Sequence, residues 1–249
     1  MRGVLVAAAF LTRIPLPIAA DATAVGKAAR WFPLIGAAIG VASALVAWTM
    51  TDVMGLPASV AATLVVGLAA WLTGALHLDG LADTVDGFGG GRDRDAVLRI
   101  MRDPSIGSYG ATALVMVIGL KVAAIAALLG RDDALAFVVV APVLSRWSIA
   151  ALAAALPYAR PEGGLGQAVT HERDVAGPVA ATAIAAIIVL PSLGLDGLIA
   201  WAVVAVTTVW MATAAQHRIG GVTGDVFGAS VEVAEASVLL CGVWLTGRP

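Results

Sequence analysis

Long apolar runs follow one another along almost the whole chain, each close to the roughly 20 residues that a membrane-spanning helix needs. Short borders containing Gly, Pro or charged residues separate them. The pattern predicts seven spanning helices, over residues 33–53, 57–77, 108–129, 134–156, 177–195, 197–216 and 230–247. A further apolar run near Arg2 has no small-x-small cleavage site before Arg13, and we interpret it as a membrane-embedded or re-entrant segment rather than a signal peptide.

Composition agrees with a membrane protein. Hydrophobic residues make up 60% of the 249 residues and charged residues only 13%, against about 25% in an ordinary soluble domain. The single cysteine, Cys241, cannot form an internal disulfide. We therefore predict an all-α, polytopic helix bundle forming a single domain over residues 1–249. We expect this domain to lie in a lipid bilayer and to bind no nucleic acid. Assembly into a homo-oligomer is left open.

Basic residues lie almost entirely on one side of this topology. With seven spans, one side of the membrane receives four stretches of chain: residues 1–32, 78–107, 157–176 and 217–229. Of the 15 Lys and Arg residues, Lys121 and Arg146 lie inside spans, Arg131 and Arg248 lie on the opposite side, and the other eleven lie in these stretches. By the positive-inside rule the four stretches are cytoplasmic. The polar, chemistry-bearing segments share that side.

Three aspartates follow the second predicted span at helical spacing. Asp79, Asp83 and Asp86 are related as i, i+4 and i+7, which places their carboxylates on one helix face. Carboxylates at a membrane border are costly, and three on one face repel one another unless a cation lies between them. Hard oxygen ligands suit Mg²⁺. We predict that the three aspartates and neighbouring His77 are catalytic; a solvated helix end is the simpler alternative.

A second acidic group opens the last predicted span. Asp225 and Glu232 are seven residues apart and share a helix face, so we expect both to join the aspartates as metal ligands. Pairing with nearby arginines is the alternative. Gly224 precedes this group and Gly87 opens the glycine-rich run 87–91. Because glycine lets backbone N–H groups approach an anion closely, we predict that both glycines bind substrate. For the run 87–91 a flexible exit from the helix is the alternative.

Two arginines are candidates for holding phosphate. Arg102 follows a short amphipathic surface helix that Asp93 is expected to cap, and Arg146 lies inside a predicted span, where a cation needs a partner. A guanidinium group matches phosphate geometry. For Arg146 a buried ion pair with a carboxylate is an equal alternative, and for Arg102 interfacial anchoring is the alternative. Lys121 is expected to be structural.

Acidic groups, a glycine-rich turn and buried cations on one side of a membrane are typical of metal-assisted phosphoryl transfer. The chain contains no Gly-x-Ser-x-Gly, His-Glu-x-x-His or Walker motif. We therefore expect direct displacement by a substrate hydroxyl, with Mg²⁺ as the cofactor, rather than a covalent enzyme intermediate.

These motifs resemble the cobalamin synthase (cobalamin-5′-phosphate synthase) family. The run Leu-His-Leu-Asp-Gly-Leu-Ala-Asp-Thr-Val-Asp-Gly over residues 76–87 looks like the family's signature. Further matches occur in the same order along the chain: residues 10–15, 100–103, 145–146 and 220–225, with Gly107, Gly228, Ala229 and Glu232. The chain departs mildly from the family in its glycine-rich residues 89–91.

The resemblance implies an enzyme of the bacterial or archaeal inner membrane, with its active site facing the cytoplasm. It would join adenosylcobinamide-GDP to α-ribazole or its 5′-phosphate, with Mg²⁺, and release GMP. The ribazole hydroxyl would attack the cobinamide-linked phosphate. Arg102 and Arg146 would hold phosphates, and one of Asp79, Asp83 and Asp86 would act as the general base.

Two other functions fit less well. Residues 83–87 match the Asp-x-x-Asp-Gly opening of the CDP-alcohol phosphotransferase motif, but the Ala-Arg expected next is replaced by Gly90 and Gly91. A cation-coupled transporter needs polar residues along a path to both faces, and the predicted spans 33–53, 57–77 and 177–195 offer almost none.

Overall fold

The apolar runs form long helices that pack side by side. The structure, a computed structural model, describes residues 2–18, 21–131, 134–164, 166–170 and 175–247. Its α-helices are α1 Arg2–Leu11, α2 Ala22–Ala28, α3 Phe32–Trp48, α4 Ala58–Thr73, α5 Leu76–Gly90, α6 Arg94–Ile100, α7 Ser108–Leu128, α8 Leu135–Ala155, α9 Gln167–Thr170, α10 Ala176–Ile219 and α11 Gly224–Thr246. A 3-10 turn over Ala29–Trp31 joins α2 to α3, and a π-helical turn over Thr49–Val53 extends α3.

Five helical segments within the described residues are long and apolar enough to cross a membrane, or six if α4 and α5 count as one broken span. The chain is thus an all-α, multi-pass membrane bundle, as the hydropathy pattern predicts. The count of seven spans stays a prediction. The expected surface helix is also present as α6, where the carboxylate of Asp93 accepts a 2.9 Å hydrogen bond from Ala96 N–H at the helix start.

Helix α10 is divided by Gly194, whose backbone is non-helical at φ 55° and ψ −126°. A Cβ on Gly197 would lie 2.8 Å from Val189 Cγ1. Eight residues of straight helix would hold these positions about 12 Å apart, so the chain folds back at Gly194. Both arms then reach the same residue of α8: Trp147 donates a 2.9 Å hydrogen bond to Thr182 and packs edge-on against Trp201. The arms correspond to the predicted runs 177–195 and 197–216.

Helices α8 and α11 form the centre of the bundle. In the most apolar stretch of each of these helices, 72% and 78% of the residues are buried, compared with 28% in α7 and 22% in α10. Helix α3 packs tightly on α8, because a Cβ on Gly36 or Gly40 would clash with the backbone of Pro142 or Val139. The exposed outer faces of the other helices carry Leu, Val and Trp side chains, which suits contact with lipid.

A sharp bend separates α4 from α5. Gly74 and Ala75 both adopt left-handed backbone conformations, at φ 64° and 58°, and the two helix axes meet at 89°. The N–H of Arg13 supports the bend by donating a 2.8 Å hydrogen bond to the Leu72 carbonyl at the end of α4. A left-handed alanine costs about 1–2 kcal/mol, so the surrounding packing must hold it there. The second predicted span therefore ends at Thr73 rather than at residue 77, and His77 belongs to the helix that carries the aspartates.

Candidate active site

Two glycines allow α5 and α11 to cross at backbone contact. A Cβ on Gly80 would lie 2.7 Å from the carbonyl oxygen of Asp225, and one on Gly228 would lie 3.1 Å from Cα of His77. Larger residues at these positions would force the helices apart, because a packed interior has no room to absorb them. The crossing brings the acidic face of α5 to the first turn of α11.

Four aspartates meet beside this crossing. Asp83 is half-buried on α5 and lies within electrostatic reach of Asp225, Asp79 and Asp86. In the part of the chain that the structure describes, the side chains of Asp79 and Asp83 accept no hydrogen bond and form no ion pair. Like charges this close favour protonation or a bound cation.

Asp86 differs from the other two aspartates of α5. Its carboxylate is buried and accepts backbone N–H hydrogen bonds from Gly107 at 2.7 Å and Gly110 at 2.9 Å, at the start of α7. A helix N-terminus stabilises a carboxylate in this way. A Cβ on either glycine would collide with the Asp86 carboxylate. Each of its oxygens thus accepts one hydrogen bond that fixes α5 against α7. The role of Asp86 as a third metal ligand stays a prediction.

Arg160 completes the acidic group, and sequence reasoning missed it as a site residue. Its guanidinium donates a 2.6 Å hydrogen bond to the carboxylate of Asp225 and a 3.3 Å bond to the Met101 carbonyl. Its Nε–H is buried and has no hydrogen-bond partner among the described residues. This donor of the arginine therefore remains unused within the described residues.

Arg160 reaches the site only because two segments that are distant in the sequence are hydrogen-bonded to each other. The residue lies between α8 and α9, in a segment that the sequence marked merely as basic. That segment pairs with the turn before α11: Ala159 N–H donates to Val222 O at 2.8 Å, and Val222 N–H donates to Pro157 O at 2.9 Å. The pairing carries Arg160 to Asp225, and no local pattern signals it.

A cavity of about 100 Å³ opens beside the acidic group. Its apolar lining side chains are Phe10, Leu11, Leu76, Ile149 and Phe227. Its polar lining side chains are His77, Asp79, Tyr158, Arg160 and Asp225. Burial raises the pKa of Tyr158 above its usual value, so the phenol keeps its proton and can donate a hydrogen bond at neutral pH.

A second charged group lies deeper between the helices, and it holds two predicted site residues. Lys121 forms ion pairs with Glu232 at 2.9 Å and with Glu235 at 2.5 Å, and Arg146 pairs with Glu235. All four side chains are buried. Glu232 was expected among the metal ligands, but the structure places it with Lys121 and not with Asp225. Arg146 was expected on a substrate phosphate, but the structure gives it the alternative role, a buried ion pair.

The remaining predicted site residues, His77, Gly224 and Arg102, lie in different environments. His77 is buried at the helix crossing, and Gly224 begins α11 and lines the cavity. Arg102 is exposed and pairs with Glu162 at 2.5 Å, and the hydrogen bond from this arginine lowers the pKa of the Glu162 carboxyl.

The glycine-rich run is not an anion-binding loop, because α5 continues through Gly90. Gly87 was predicted to bind substrate, but it is buried, and a Cβ there would lie 3.2 Å from the sulfur of Met101. Its smallness serves the approach of the chain after α6.

Magnesium fits the chemistry of the outer acidic group. Across the described ranges, no three His, Cys, Asp or Glu side chains are assembled as a ready metal site. Mg²⁺ does not require such a set, because it commonly binds through one or two carboxylates and completes its shell with water and substrate phosphates. Asp79 and Asp83 offer unpaired carboxylates, and the carboxylate of Asp225, which pairs with Arg160, lies within electrostatic reach of both. These residues are suitable for Mg²⁺.

Comparison with known proteins gives consistent results. The family model described as cobalamin-5-phosphate synthase matches residues 3–243. The adenosylcobinamide-GDP ribazoletransferase of Pseudomonas aeruginosa is 40% identical over 243 residues, covering 96% of this chain and 97% of the relative. Proteins of the same name from Chlorobaculum tepidum and Azorhizobium caulinodans are 38% and 41% identical; the alignments cover 99% and 96% of this chain, and 97% and 94% of the relatives. No solved structure matches the chain.

Proposed function

Because this chain belongs to the cobalamin-5-phosphate synthase family, we propose that it joins adenosylcobinamide-GDP to α-ribazole, or to its 5′-phosphate, and releases GMP. It is a membrane-embedded transferase of cobalamin biosynthesis. The finer assignment rests on one observation: Asp79 lines the same cavity as the Asp225–Arg160 pair, and Asp83 lies within electrostatic reach of all three.

The proposed reaction is a displacement at phosphorus. The ribazole hydroxyl oxygen forms a bond to the phosphorus that carries cobinamide. The bond from that phosphorus to the bridging oxygen of the diphosphate breaks, and GMP leaves with that oxygen. The hydroxyl proton passes to a carboxylate of α5, which we assign to whichever of Asp79, Asp83 and Asp86 does not bind the metal ion.

The chain's own residues orient this reaction. When bound, Mg²⁺ held by Asp79, Asp83 and Asp225 would offset negative charge on the diphosphate. The guanidinium of Arg160, which lines the cavity, would bind a phosphate oxygen. The Asp86 hydrogen bonds fix α5, so that the carboxylates of this helix stay on one side of the substrate. The excess of basic residues in the same stretches supports a cytoplasmic site in the inner membrane.

Product formation in liposomes tests the proposal. Purified protein supplied with adenosylcobinamide-GDP, α-ribazole and Mg²⁺ is expected to yield a cobamide and GMP in equal amounts, separated by chromatography. EDTA should abolish both products and added Mg²⁺ should restore them. Absence of product from folded protein with intact substrates would refute the assignment, and a CDP-alcohol substrate would then be assayed.

Matched variants locate the site. Asp79→Asn, Asp83→Asn and Asp225→Asn are each expected to lower turnover by about 100-fold or more, since each removes charge that stabilises the transition state. Asp52→Asn is the control, because Asp52 is exposed, lies in the π-helical turn that extends α3 and does not line the cavity. Equal activity in all four variants would contradict the proposed metal site.

A further inference from the structure

We propose that the cavity beside the acidic group binds the base of ribazole, with Phe10 of α1 as its aromatic wall, and that adenosylcobinamide-GDP binds outside it. This inference rests on the proposed function and assigns one of the two substrates to a defined place.

The size of the cavity favours a fragment rather than a whole ligand. Sites for drug-sized molecules usually measure about 300–1,000 Å³, whereas this cavity measures about 100 Å³. A corrinoid ring or a complete nucleotide does not fit such a space. A flat base of two fused rings is of the right scale, and its ribose would then extend toward the polar lining residues.

The chemistry of the walls distinguishes between the bases of the two substrates. Guanine carries two N–H-bearing groups and a carbonyl on its edge, and pairing those N–H groups in this cavity would take the carboxylates of Asp79 and Asp225 that are assigned to Mg²⁺. The benzimidazole base of ribazole has no hydrogen-bond donor, so apolar walls suit it. Leu11 and Phe227 are almost fully buried in these walls, at 1% and 4% exposure. The ribose hydroxyls would then lie toward Asp79, where the displacement needs them.

Phe10 is held in a fixed orientation. Its ring stacks on that of Phe32 with centroids 5.6 Å apart and planes 7° from parallel. Leu76 of α5 and Phe227 of α11 line the same cavity as Phe10. A second aromatic ring can therefore stack without reordering the wall, which lowers the cost of binding. This gives a function to α1, whose motif at residues 10–15 the catalytic aspartates leave unexplained.

Direct binding measurements test the assignment. Dissociation constants for α-ribazole and for adenosylcobinamide-GDP would be measured separately by calorimetry, on full-length protein in nanodiscs. Phe10→Ala is expected to weaken α-ribazole binding about tenfold and to leave adenosylcobinamide-GDP binding within twofold. Phe88→Ala is the matched control: Phe88 is also half-buried against the same core but lies outside the cavity, and its variant should bind both substrates as the parent does.

A second variant distinguishes loss of binding from loss of folding. Leu76 lines the cavity yet is 41% exposed, so Leu76→Trp can fill the cavity without disturbing the core. It should abolish α-ribazole binding in protein with an unchanged melting temperature. If folded Phe10→Ala and Leu76→Trp bind α-ribazole like the parent while the parent makes cobamide, the cavity assignment fails and the proposed function stands. If the parent binds neither substrate and makes no product, both fail.

Discussion

Replacing Gly80 with alanine tests whether the helix crossing, rather than the aspartates alone, creates the site. The new Cβ would lie 2.7 Å from the carbonyl oxygen of Asp225, and relieving the clash to an ordinary 3.4 Å contact needs a shift of about 0.7 Å between α5 and α11. That shift separates Asp79 and Asp83 from Asp225. A misplacement near 1 Å costs about 100-fold in rate when reacting groups must be aligned, so we expect Gly80→Ala to lower kcat by 10- to 100-fold.

Stability should change far less than the rate. Alanine gains up to about 1 kcal/mol over glycine in a helix, which offsets part of the roughly 1–3 kcal/mol cost of overpacking. The control is Gly67→Ala on α4, where a Cβ would meet no atom within 4 Å. Cobamide formation in liposomes gives the rate, and thermal unfolding in detergent gives the stability. A folded Gly80→Ala enzyme with the parent's kcat would refute the argument from helix approach.

Three further predictions concern other parts of the bundle. Lys121→Met leaves Glu232 and Glu235 with one fewer buried counter-ion, and a penalty of about 3–5 kcal/mol should sharply reduce folded protein in membranes, measured by size-exclusion recovery. Asp86→Asn turns an amide N–H₂ toward backbone N–H donors, and we expect about 1–3 kcal/mol of lost stability by thermal unfolding, with the Mg²⁺ concentration for half-maximal activity unchanged. Ser105→Cys should resist membrane-impermeant maleimide added outside intact cells and react in inverted vesicles; labelling from outside would contradict the cytoplasmic orientation.

Hydropathy determines most of the fold, because a bilayer imposes a length and an apolar composition on every crossing segment. The span edges of α7 and α8 fall within a residue or so of those predicted. The bend after α4 does not follow from hydropathy. Gly74 alone would permit a turn, but the left-handed Ala75 is set by tertiary contacts and carries no sequence signal. The direction of α5, and hence of its aspartates, depends on this bend.

The candidate site was predicted less completely, because a shared helix face does not imply a shared site. Asp225 and Glu232 do lie on one helix, but seven residues separate them by about 10 Å along its axis. At that depth Glu232 meets Lys121, while Asp225 meets Arg160. Helical periodicity fixes the angle around an axis, whereas the neighbouring helices decide what each residue contacts. Arg160 illustrates the same limit, since only the pairing of distant segments places it.

Charge balance explains why the two polar groups serve different purposes. In the inner group the carboxylates of Glu232 and Glu235 face two cations, Lys121 and Arg146, so their charges cancel within the bundle. A metal ion there would add unbalanced charge in a region with little water. In the outer group, three carboxylates without backbone amide ligands face Arg160 alone, as far as the described residues show. Two negative charges remain without a counter-ion, which matches the charge of one Mg²⁺. The inner group therefore fixes the helices, and the outer group is the one suited to bind a metal ion and a diphosphate.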